Sequence, residues 1–149
     1  MAKEAVLRTS EQVVVQIGQT GFTTQIKAGN HSFRADEPVS FGGDDYGPGP
    51  YDLLLASLGS CTAMTLRMYA DRKKWAIGNI TIHMNHKKVY QEDCQNCQDK
   101  SSKVDVIERH ITIQGAIDQE QRDRLLVIAD KCPVHRTLHG EIQVQTILK

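Results

Sequence analysis

The segment from Leu53 to Arg67 constrains the fold most strongly, because it reads as a long, mostly apolar helix with one thiol, Cys61, near its middle. A set of mainly apolar residues recurs there at spacings of four, three, four and three, which is the spacing of one helical stripe. Its members are Leu54, Leu58, Cys61, Thr65 and Met68. We therefore predict a helix from Tyr51 to about Lys74 whose stripe faces inward.

The segment before this helix alternates apolar and polar residues, as half-buried strands do. Residues 12–35 contain three such runs, and the glycine-containing turns at 18–21 and 29–30 separate them. This pattern predicts an antiparallel three-strand meander. Residues 36–50 hold four glycines and three prolines, so we expect a loop there whose shape is set by turn chemistry.

Beyond the helix, the chain alternates again around Ile80–Met84 and Ile107–Ile113, which predicts two more strands. Residues 118–131 are predicted to be helical, a short helix is expected to open at Pro133, and residues 142–146 are predicted to form a last strand. In the first of these helices the residues expected to face inward are Leu125, Leu126, Ile128 and Ala129. The order βββ-α-ββ-α-α-β predicts an α+β fold with antiparallel sheets, in a single domain over residues 1–149.

Composition narrows the classes of function. Eighteen basic residues balance eighteen acidic ones, so the chain lacks the basic excess typical of proteins that bind nucleic acid or a membrane surface. No stretch approaches the roughly 20 apolar residues of a membrane span. The opening residues 1–8 contain no apolar core of a secretory signal. We therefore expect a cytoplasmic protein, in which thiols are kept reduced and paired cysteines are catalytic, sensing or metal-binding.

Two of the four cysteines stand in helical contexts. Cys132 precedes Pro133, a typical first helical residue, so we predict that it caps that helix, where free N–H groups stabilise a thiolate. Cys61 lies in mid-helix, where burial raises a thiol pKa. Local chemistry therefore makes Cys132 the more acidic thiol. Either cysteine is also compatible with a purely structural role, and spacing alone does not show that the two meet.

The other two cysteines form a CxxC pair, Cys94 and Cys97, in a polar segment. A closed zinc site needs four ligands, usually two such pairs, and the sequence has no second pair. His83 and His86 are three residues apart on a predicted strand, so their side chains point to opposite faces and make a poor chelate. A reversible local disulfide, two plain loop thiols and a zinc site supported by other groups are the alternatives.

Three motifs together resemble one known family. They are the run from Gly47 to Ala56 (GPGPYDLLLA), the triplet Gly59-Ser60-Cys61, and Cys132-Pro133-Val134. With the upstream segment 34–38 and the order of elements, they resemble the OsmC/Ohr family of osmotically inducible and organic-hydroperoxide-resistance proteins. The resemblance covers nearly the whole chain.

The resemblance implies an OsmC-like fold in an intertwined homodimer, with the long helices at its centre and two equivalent sites at the subunit interface. It also implies that Cys61 attacks the peroxide O–O bond and becomes a sulfenic acid. Cys132 then condenses with it to a disulfide, and an external dithiol reduces that disulfide. The family's chemistry needs no metal, haem or flavin cofactor.

Family members activate the helical thiol with an arginine from the region before the helix, held by a glutamate near the helix start. Arg34 matches that arginine best. The glutamate position, ten residues before Cys61, is Tyr51 here, and the nearest carboxylate is Asp52. By resemblance, the predicted catalytic set is therefore Cys61, Cys132, Arg34 and Asp52.

Two functions follow from this interpretation. The first is a thiol-dependent reductase for alkyl or fatty-acid hydroperoxides, acting in oxidative-stress defence. The alternative is a non-enzymatic protein on the same fold that senses redox state or binds a small apolar ligand, and the replacement of the glutamate by Tyr51 favours it.

Overall fold

The computed structural model describes residues 13–90 and 103–149, and it confirms the α+β fold class with two antiparallel sheets and three α-helices. The chain divides into two compact units that meet in sequence between Leu53 and Leu54. Cys94 and Cys97 lie outside the described residues. No helix among the described residues is long and apolar enough to cross a bilayer.

The N-terminal unit contains the predicted meander. Its strands are β1 (Val13–Ile17), β2 (Thr24–Ala28) and β3 (His31–Ala35), which pair antiparallel in the order β1-β2-β3. Gly29 opens the two-residue turn between β2 and β3 with φ of 59°, a left-handed value that glycine adopts without strain. A short 3-10 helix, Val39–Phe41, interrupts the loop that follows.

The loop is organised around the buried carboxylate of Asp36. It accepts hydrogen bonds from the Thr23 hydroxyl at 2.9 Å and from the backbone N–H of Glu37 at 2.8 Å. Two further N–H groups, those of Asp44 and Tyr46, donate to the same side chain at 3.4 and 3.3 Å. One carboxylate thus joins the start of the predicted turn segment to residues near its middle and to Thr23.

The first helix, α1 (Pro50–Lys73), agrees with the predicted bounds, because Pro50 takes the first helical position. Its predicted inward stripe is wrong at both ends, since Leu54 and Met68 are exposed in this chain. The residues that are buried instead recur every four positions, and they are Leu58, Thr62, Leu66 and Ala70. The buried face is therefore rotated by about one residue from the predicted one, and Cys61 lies at its border.

The second unit also holds the long hairpin of β4 (Ile80–Tyr90) and β5 (Lys103–Ile113), followed by α2 (Gln119–Ala129) and α3 (Pro133–His139). Asp118 caps α2 in a reciprocal capping box with Gln121. The core of this unit is formed by Leu66, Leu125, Ile128 and Ala129, with partly buried apolar residues of the hairpin packed against them. These contacts fix α1 and α2 against one face of the hairpin.

Two sequence predictions for this unit are wrong. Leu126 was expected to face inward, but it is exposed, because the helix turns it away from the core that Leu125 enters. Residues 142–146 were expected to form a strand, but no strand is assigned in residues 141–149. A strand needs a hydrogen-bonded neighbour. Ile142 and Val144 are instead exposed, although their alternation is typical of a strand.

Candidate functional site

Cys132 lies at the start of α3, as predicted, and it is fully buried. Its sulfur accepts a hydrogen bond of 3.3 Å from the backbone N–H of His135, three residues further on. Pro133 follows directly. Because proline has no backbone N–H, the first helical position needs no hydrogen-bond acceptor. The capping geometry thus places this sulfur at the helix start, facing the core of the unit.

Cys61 reaches the same place from α1. It is partly exposed and is a free thiol like Cys132, and the hydroxyl oxygen of the next residue, Thr62, lies 3.6 Å from the Cys132 sulfur. Burial raises the pKa of the Cys61 thiol, and the Cys132 thiol raises it further. The backbone N–H of Val134 and the side chain of Thr65 act in the opposite direction and lower this pKa, because nearby donors favour the thiolate. The two sulfurs, 71 positions apart in sequence, are therefore neighbours in the reduced chain.

Thr62, the residue after Cys61, is fully buried and lies between Cys132 and a cation. Its Oγ1 is 3.6 Å from the Cys132 sulfur and donates to the carbonyl of Leu58 at 2.8 Å. The same oxygen accepts a hydrogen bond of 3.0 Å from Nη1 of Arg109. A polar chain therefore runs from the guanidinium through a buried hydroxyl to the second thiol.

Arg109 comes from β5, on the strand face that carries Ile107 and Ile111. Only 13% of its side chain is exposed, and its two terminal nitrogens donate to four acceptors. They are the hydroxyl of Thr62, the carbonyl of Ala129 at 3.1 Å, the carboxylate of Asp130 at 2.7 Å and Nδ1 of His135 at 2.9 Å. Neither Arg109 nor Thr62 was among the predicted site residues. An arginine between Ile107 and Ile111 on one strand face was the signal available.

His135 completes the cluster, which we call the thiol site: Cys61, Thr62, Arg109, Cys132 and His135. Its ring stacks on that of His139 with centroids 4.1 Å apart. Burial lowers the pKa of His135, and the charges of Arg109 and His139 lower it further, against the opposing effect of Asp130. The ring is therefore neutral near pH 7 and accepts from Arg109 through Nδ1.

An apolar cavity of about 300 Å³ adjoins the thiol site. Two of its lining residues lie near the thiols in sequence: Thr65 follows Cys61 by one helical turn, and Pro133 follows Cys132 directly. Its lining is Thr65, Met68, Tyr69, Arg72, Ile128, Lys131 and Pro133. Aliphatic and aromatic groups form its walls, and two cationic residues, Arg72 and Lys131, are part of the lining.

The two other predicted site residues belong to the N-terminal unit. Arg34 lies on β3 opposite Gln25 and is exposed. Asp52 lies in the first turn of α1, where its carboxylate accepts a hydrogen bond of 2.9 Å from the backbone N–H of Gly49. The structure thus gives Asp52 a capping role at the helix start, and the catalytic roles of Arg34 and Asp52 stay predictions.

In the part of the chain that the structure describes, no three His, Cys, Asp or Glu side chains converge as ligands for a metal ion. The thiol site itself brings together two free thiols, a buried hydroxyl, a guanidinium and a neutral imidazole. Two neighbouring reduced thiols can donate two electrons to an oxidant by forming a disulfide.

Solved structures with the same fold include three whose similarity extends over most of both chains. An OsmC-like protein from Mycoplasma pneumoniae is 18% identical with a TM-score of 0.70, over 90% of this chain and 90% of that one. An organic hydroperoxide resistance protein from Elizabethkingia anophelis is 20% identical with a TM-score of 0.63, over 92% and 94%. The organic hydroperoxide resistance protein OhrB of Bacillus subtilis is 17% identical with a TM-score of 0.60, over 87% and 90%.

At these identities the solved structures show a shared fold. No curated protein matches the sequence. The sequence model of the family described as OsmC-like protein does match, over residues 42–147, which include both thiols and the whole of α1. The chain therefore belongs to the OsmC-like protein family.

Proposed function

We propose that the protein is a thiol-dependent peroxidase that reduces organic hydroperoxides through Cys61 and Cys132. The observation that carries this proposal is the proximity of two reduced thiols from separate helices: Thr62, the neighbour of Cys61, lies 3.6 Å from the Cys132 sulfur, and the Cys132 thiol raises the pKa of Cys61. A pair of this kind supports a cycle in which one sulfur is oxidised and the other resolves it. Fold neighbours named organic hydroperoxide resistance proteins add support.

The first step is assigned to Cys61, because it is partly exposed whereas Cys132 is fully buried. The Cys61 thiolate attacks the terminal oxygen of the hydroperoxide, and the O–O bond breaks. The alkoxide takes up a proton and leaves as the alcohol. Cys61 keeps the transferred oxygen as a sulfenic acid. The N–H of Val134 and the side chain of Thr65 stabilise the attacking thiolate.

In the second step, the Cys132 sulfur attacks the sulfenic sulfur of Cys61. The S–O bond breaks, the Cys132 proton leaves with the hydroxyl group as water, and a Cys61–Cys132 disulfide forms. Two thiols are thereby oxidised by two electrons, and the hydroperoxide is reduced to alcohol and water. An external dithiol restores both thiols by disulfide exchange. The cycle needs reducing equivalents, which fits a cytoplasmic protein.

The substrate class follows from the cavity beside the thiol site. Met68, Ile128 and Pro133 offer apolar surface in this cavity. Ile128 and Pro133 lie within four residues of Cys132 in sequence, and Met68 lies two turns after Cys61 on α1. Burying a hydrocarbon chain there removes apolar surface from water, which favours alkyl and fatty-acid hydroperoxides over hydrogen peroxide. In the same proposal, Arg34 activates Cys61 and Asp52 holds that arginine, as the family resemblance implies.

A homodimer is part of the proposal. The helix α1 buries one stripe, yet Met64 and Met68, one turn apart, are 65% and 63% exposed. The alternating C-terminal residue Val144 is 85% exposed. A second copy that covers these apolar side chains would remove them from water. Light scattering at micromolar concentration should give twice the mass of one chain. A single-chain mass under these conditions would contradict this part of the proposal.

The test of the activity is consumption of cumene hydroperoxide in the presence of a dithiol reductant. The Cys61→Ser variant should lose turnover, and Cys132→Ser should lose the disulfide-forming step. A Cys94→Ser/Cys97→Ser double variant is the matched control and should keep wild-type turnover. Equal turnover by wild type and Cys61→Ser would overturn the proposal.

One observation favours the second candidate, a non-enzymatic protein that binds an apolar ligand or senses redox state. The carboxylate of Asp52 is engaged by the N–H of Gly49, and Tyr51 stands where the family has its glutamate. Without a carboxylate to hold the arginine, peroxide reduction would be slow while the cavity stays intact. Saturable binding of a fatty acid by wild-type protein, together with no peroxide consumption, would establish this candidate instead.

A further inference from the structure

We propose that Arg109 is a positioning residue for disulfide formation, and that it acts on Cys132 through the hydroxyl of Thr62. This inference rests on the proposed peroxidase cycle and concerns only its second step. It assigns a role to two residues of the thiol site that lie on different elements, β5 and α1.

The geometry leaves the Arg109 guanidinium little freedom. Its terminal nitrogens carry four hydrogens, and each has an acceptor. The carbonyl of Ala129 and the carboxylate of Asp130 fix it to the end of α2, and His135 fixes it to α3. The fourth hydrogen is thereby aimed at Oγ1 of Thr62, at 3.0 Å. Arg109 contributes a fixed cation one hydroxyl group away from Cys132.

Thr62 can serve Cys132 in either protonation state. When Cys132 is a thiol, Oγ1 accepts from Arg109 and from the S–H group, and its own hydrogen goes to the Leu58 carbonyl. When Cys132 loses its proton, the hydroxyl can rotate and donate to the sulfur instead. The Leu58 carbonyl then keeps its helical hydrogen bond. The hydroxyl of Thr62 therefore acts as a rotor whose hydrogen points either to the Leu58 carbonyl or to the Cys132 sulfur. Arg109 holds the hydroxyl oxygen in place in both orientations.

This rotor matters when Cys132 attacks the sulfenic acid of Cys61. Negative charge builds on the Cys132 sulfur as its proton passes to the departing hydroxyl group. The Thr62 oxygen is already held 3.6 Å from the sulfur, so only the hydroxyl hydrogen has to turn to stabilise that charge. Because Arg109 donates to Oγ1, it polarises the hydroxyl and strengthens the bond from Thr62 to sulfur. The expected consequence is faster condensation, with no effect on the attack of Cys61 on peroxide.

The test is to follow sulfenic acid and disulfide separately after mixing the reduced protein with cumene hydroperoxide. Dimedone labelling and mass spectrometry report the sulfenic acid, and non-reducing mass analysis reports the disulfide. Thr62→Val keeps the side-chain shape and removes the hydroxyl, whereas Thr62→Ser keeps the hydroxyl. We expect Thr62→Val to accumulate sulfenic acid, with condensation slower by roughly tenfold or more, because a hydrogen bond to a charged group is lost. Thr62→Ser should condense at close to the wild-type rate.

The role of Arg109 is tested by the pH profile of the same step. Arg109→Met should slow condensation, and the pH at which the condensation rate rises should be higher than in wild type. Arg109→Lys should restore part of the rate, since it keeps a cation. A purely structural role would lower thermal stability without moving this profile. The charged and titratable groups that surround Cys132 on its own and the packed elements are Cys61, Arg109, Asp130, Lys131, His135, Arg136 and His139.

Condensation at the wild-type rate in Thr62→Val would overturn the inference. So would an unshifted pH profile in Arg109→Met. If Arg109→Met does not fold, the comparison of Thr62→Val with Thr62→Ser decides alone. Failure of the proposed function looks different, because in that case wild-type protein itself forms no Cys61–Cys132 disulfide with peroxide.

Discussion

Nη2 of Arg109 lies 2.9 Å from Nδ1 of His135, and a guanidinium can only donate, so Nδ1 is the acceptor in this bond. The neutral ring therefore carries its hydrogen on Nε2. Protonation of Nδ1 would place two donors face to face beside a cation. This relationship ties the integrity of the thiol site to the charge state of one imidazole.

The first prediction concerns stability at mildly acidic pH. Burial, together with the charges of Arg109 and His139, lowers the pKa of His135 in the folded state. The unfolded chain takes up this proton near pH 6.5, whereas the folded chain does so only at lower pH. The free energy of unfolding should therefore fall as pH falls from about 6.5 toward the folded-state pKa.

Urea unfolding at several pH values checks this expectation. His135→Asn should show a weaker loss of stability between neutral and acidic pH than wild type. His31→Asn, at an exposed position on β3, is the control and should keep the wild-type dependence. An unchanged slope in His135→Asn would count against the assigned role.

The second prediction concerns the reactivity of Cys61. The neighbouring Cys132 thiol raises the pKa of Cys61 in addition to the effect of burial. Cys132→Ala removes that neighbour, so alkylation of Cys61 by iodoacetamide should begin at lower pH than in wild type. Mass spectrometry of the labelled peptide measures this, with Cys97→Ala as the control. If the pH dependence of Cys61 alkylation is unchanged, or moves to higher pH, then the Cys132 thiol does not raise the pKa of Cys61.

The third prediction concerns the core of the second unit. Leu66 is fully buried at the centre of the cluster with Leu125 and Ile128. Leu66→Ala should lower the free energy of unfolding by about 2–5 kcal/mol, because it removes apolar contact and leaves a cavity. Leu126→Ala, on the exposed side of α2, should cost about 0.5 kcal/mol or less. Denaturant unfolding at one fixed protein concentration compares the two, and equal losses would contradict the assigned core.

The fourth prediction concerns the loop before α1. Burial pushes the pKa of Asp36 upward, but hydrogen bonds from Thr23 and the N–H groups of Glu37, Tyr46 and Asp44 together hold it below its usual value. Asp36→Asn replaces an accepting oxygen with a donor, so the melting temperature should fall by several degrees at neutral pH.

This difference should shrink in acid, because a depressed carboxylate pKa contributes stability that is lost as pH falls through the folded-state value. Asp44→Asn keeps the backbone donor and alters only an exposed side chain, so it serves as the control. Melting curves at neutral pH and near pH 3 check both statements. A constant difference across this range would contradict them.

Sequence patterns predicted well those elements whose formation depends mainly on residues close together in the chain. The alternation in residues 12–35 and the turn at Gly29 predicted the meander, and the apolar repeat from Leu54 to Met68 predicted α1. The predicted inward face of α1 differs from the observed one by about one residue. Apolar and small side chains occur on several sides of this helix, so tertiary packing decides which side is buried. The C-terminal strand failed for a similar reason, since alternation describes a strand but does not supply the neighbour that it pairs with.

The site divides in the same way. The position of Cys132 at the start of α3 followed from Pro133 alone. Its contact with Cys61 was expected only from the family resemblance, because no local rule joins residues 71 positions apart. Arg109 was overlooked because a charge in a strand is ordinarily solvent-facing, and its register against Met84 becomes visible only in the folded hairpin.

Mass spectrometry of the fully reduced protein, after addition of one equivalent of an organic hydroperoxide, tests the proposed cycle most directly. We expect a single new disulfide between Cys61 and Cys132, with Cys94 and Cys97 still reduced. A protein oxidised only at Cys94 and Cys97, with Cys61 and Cys132 unchanged, would contradict it.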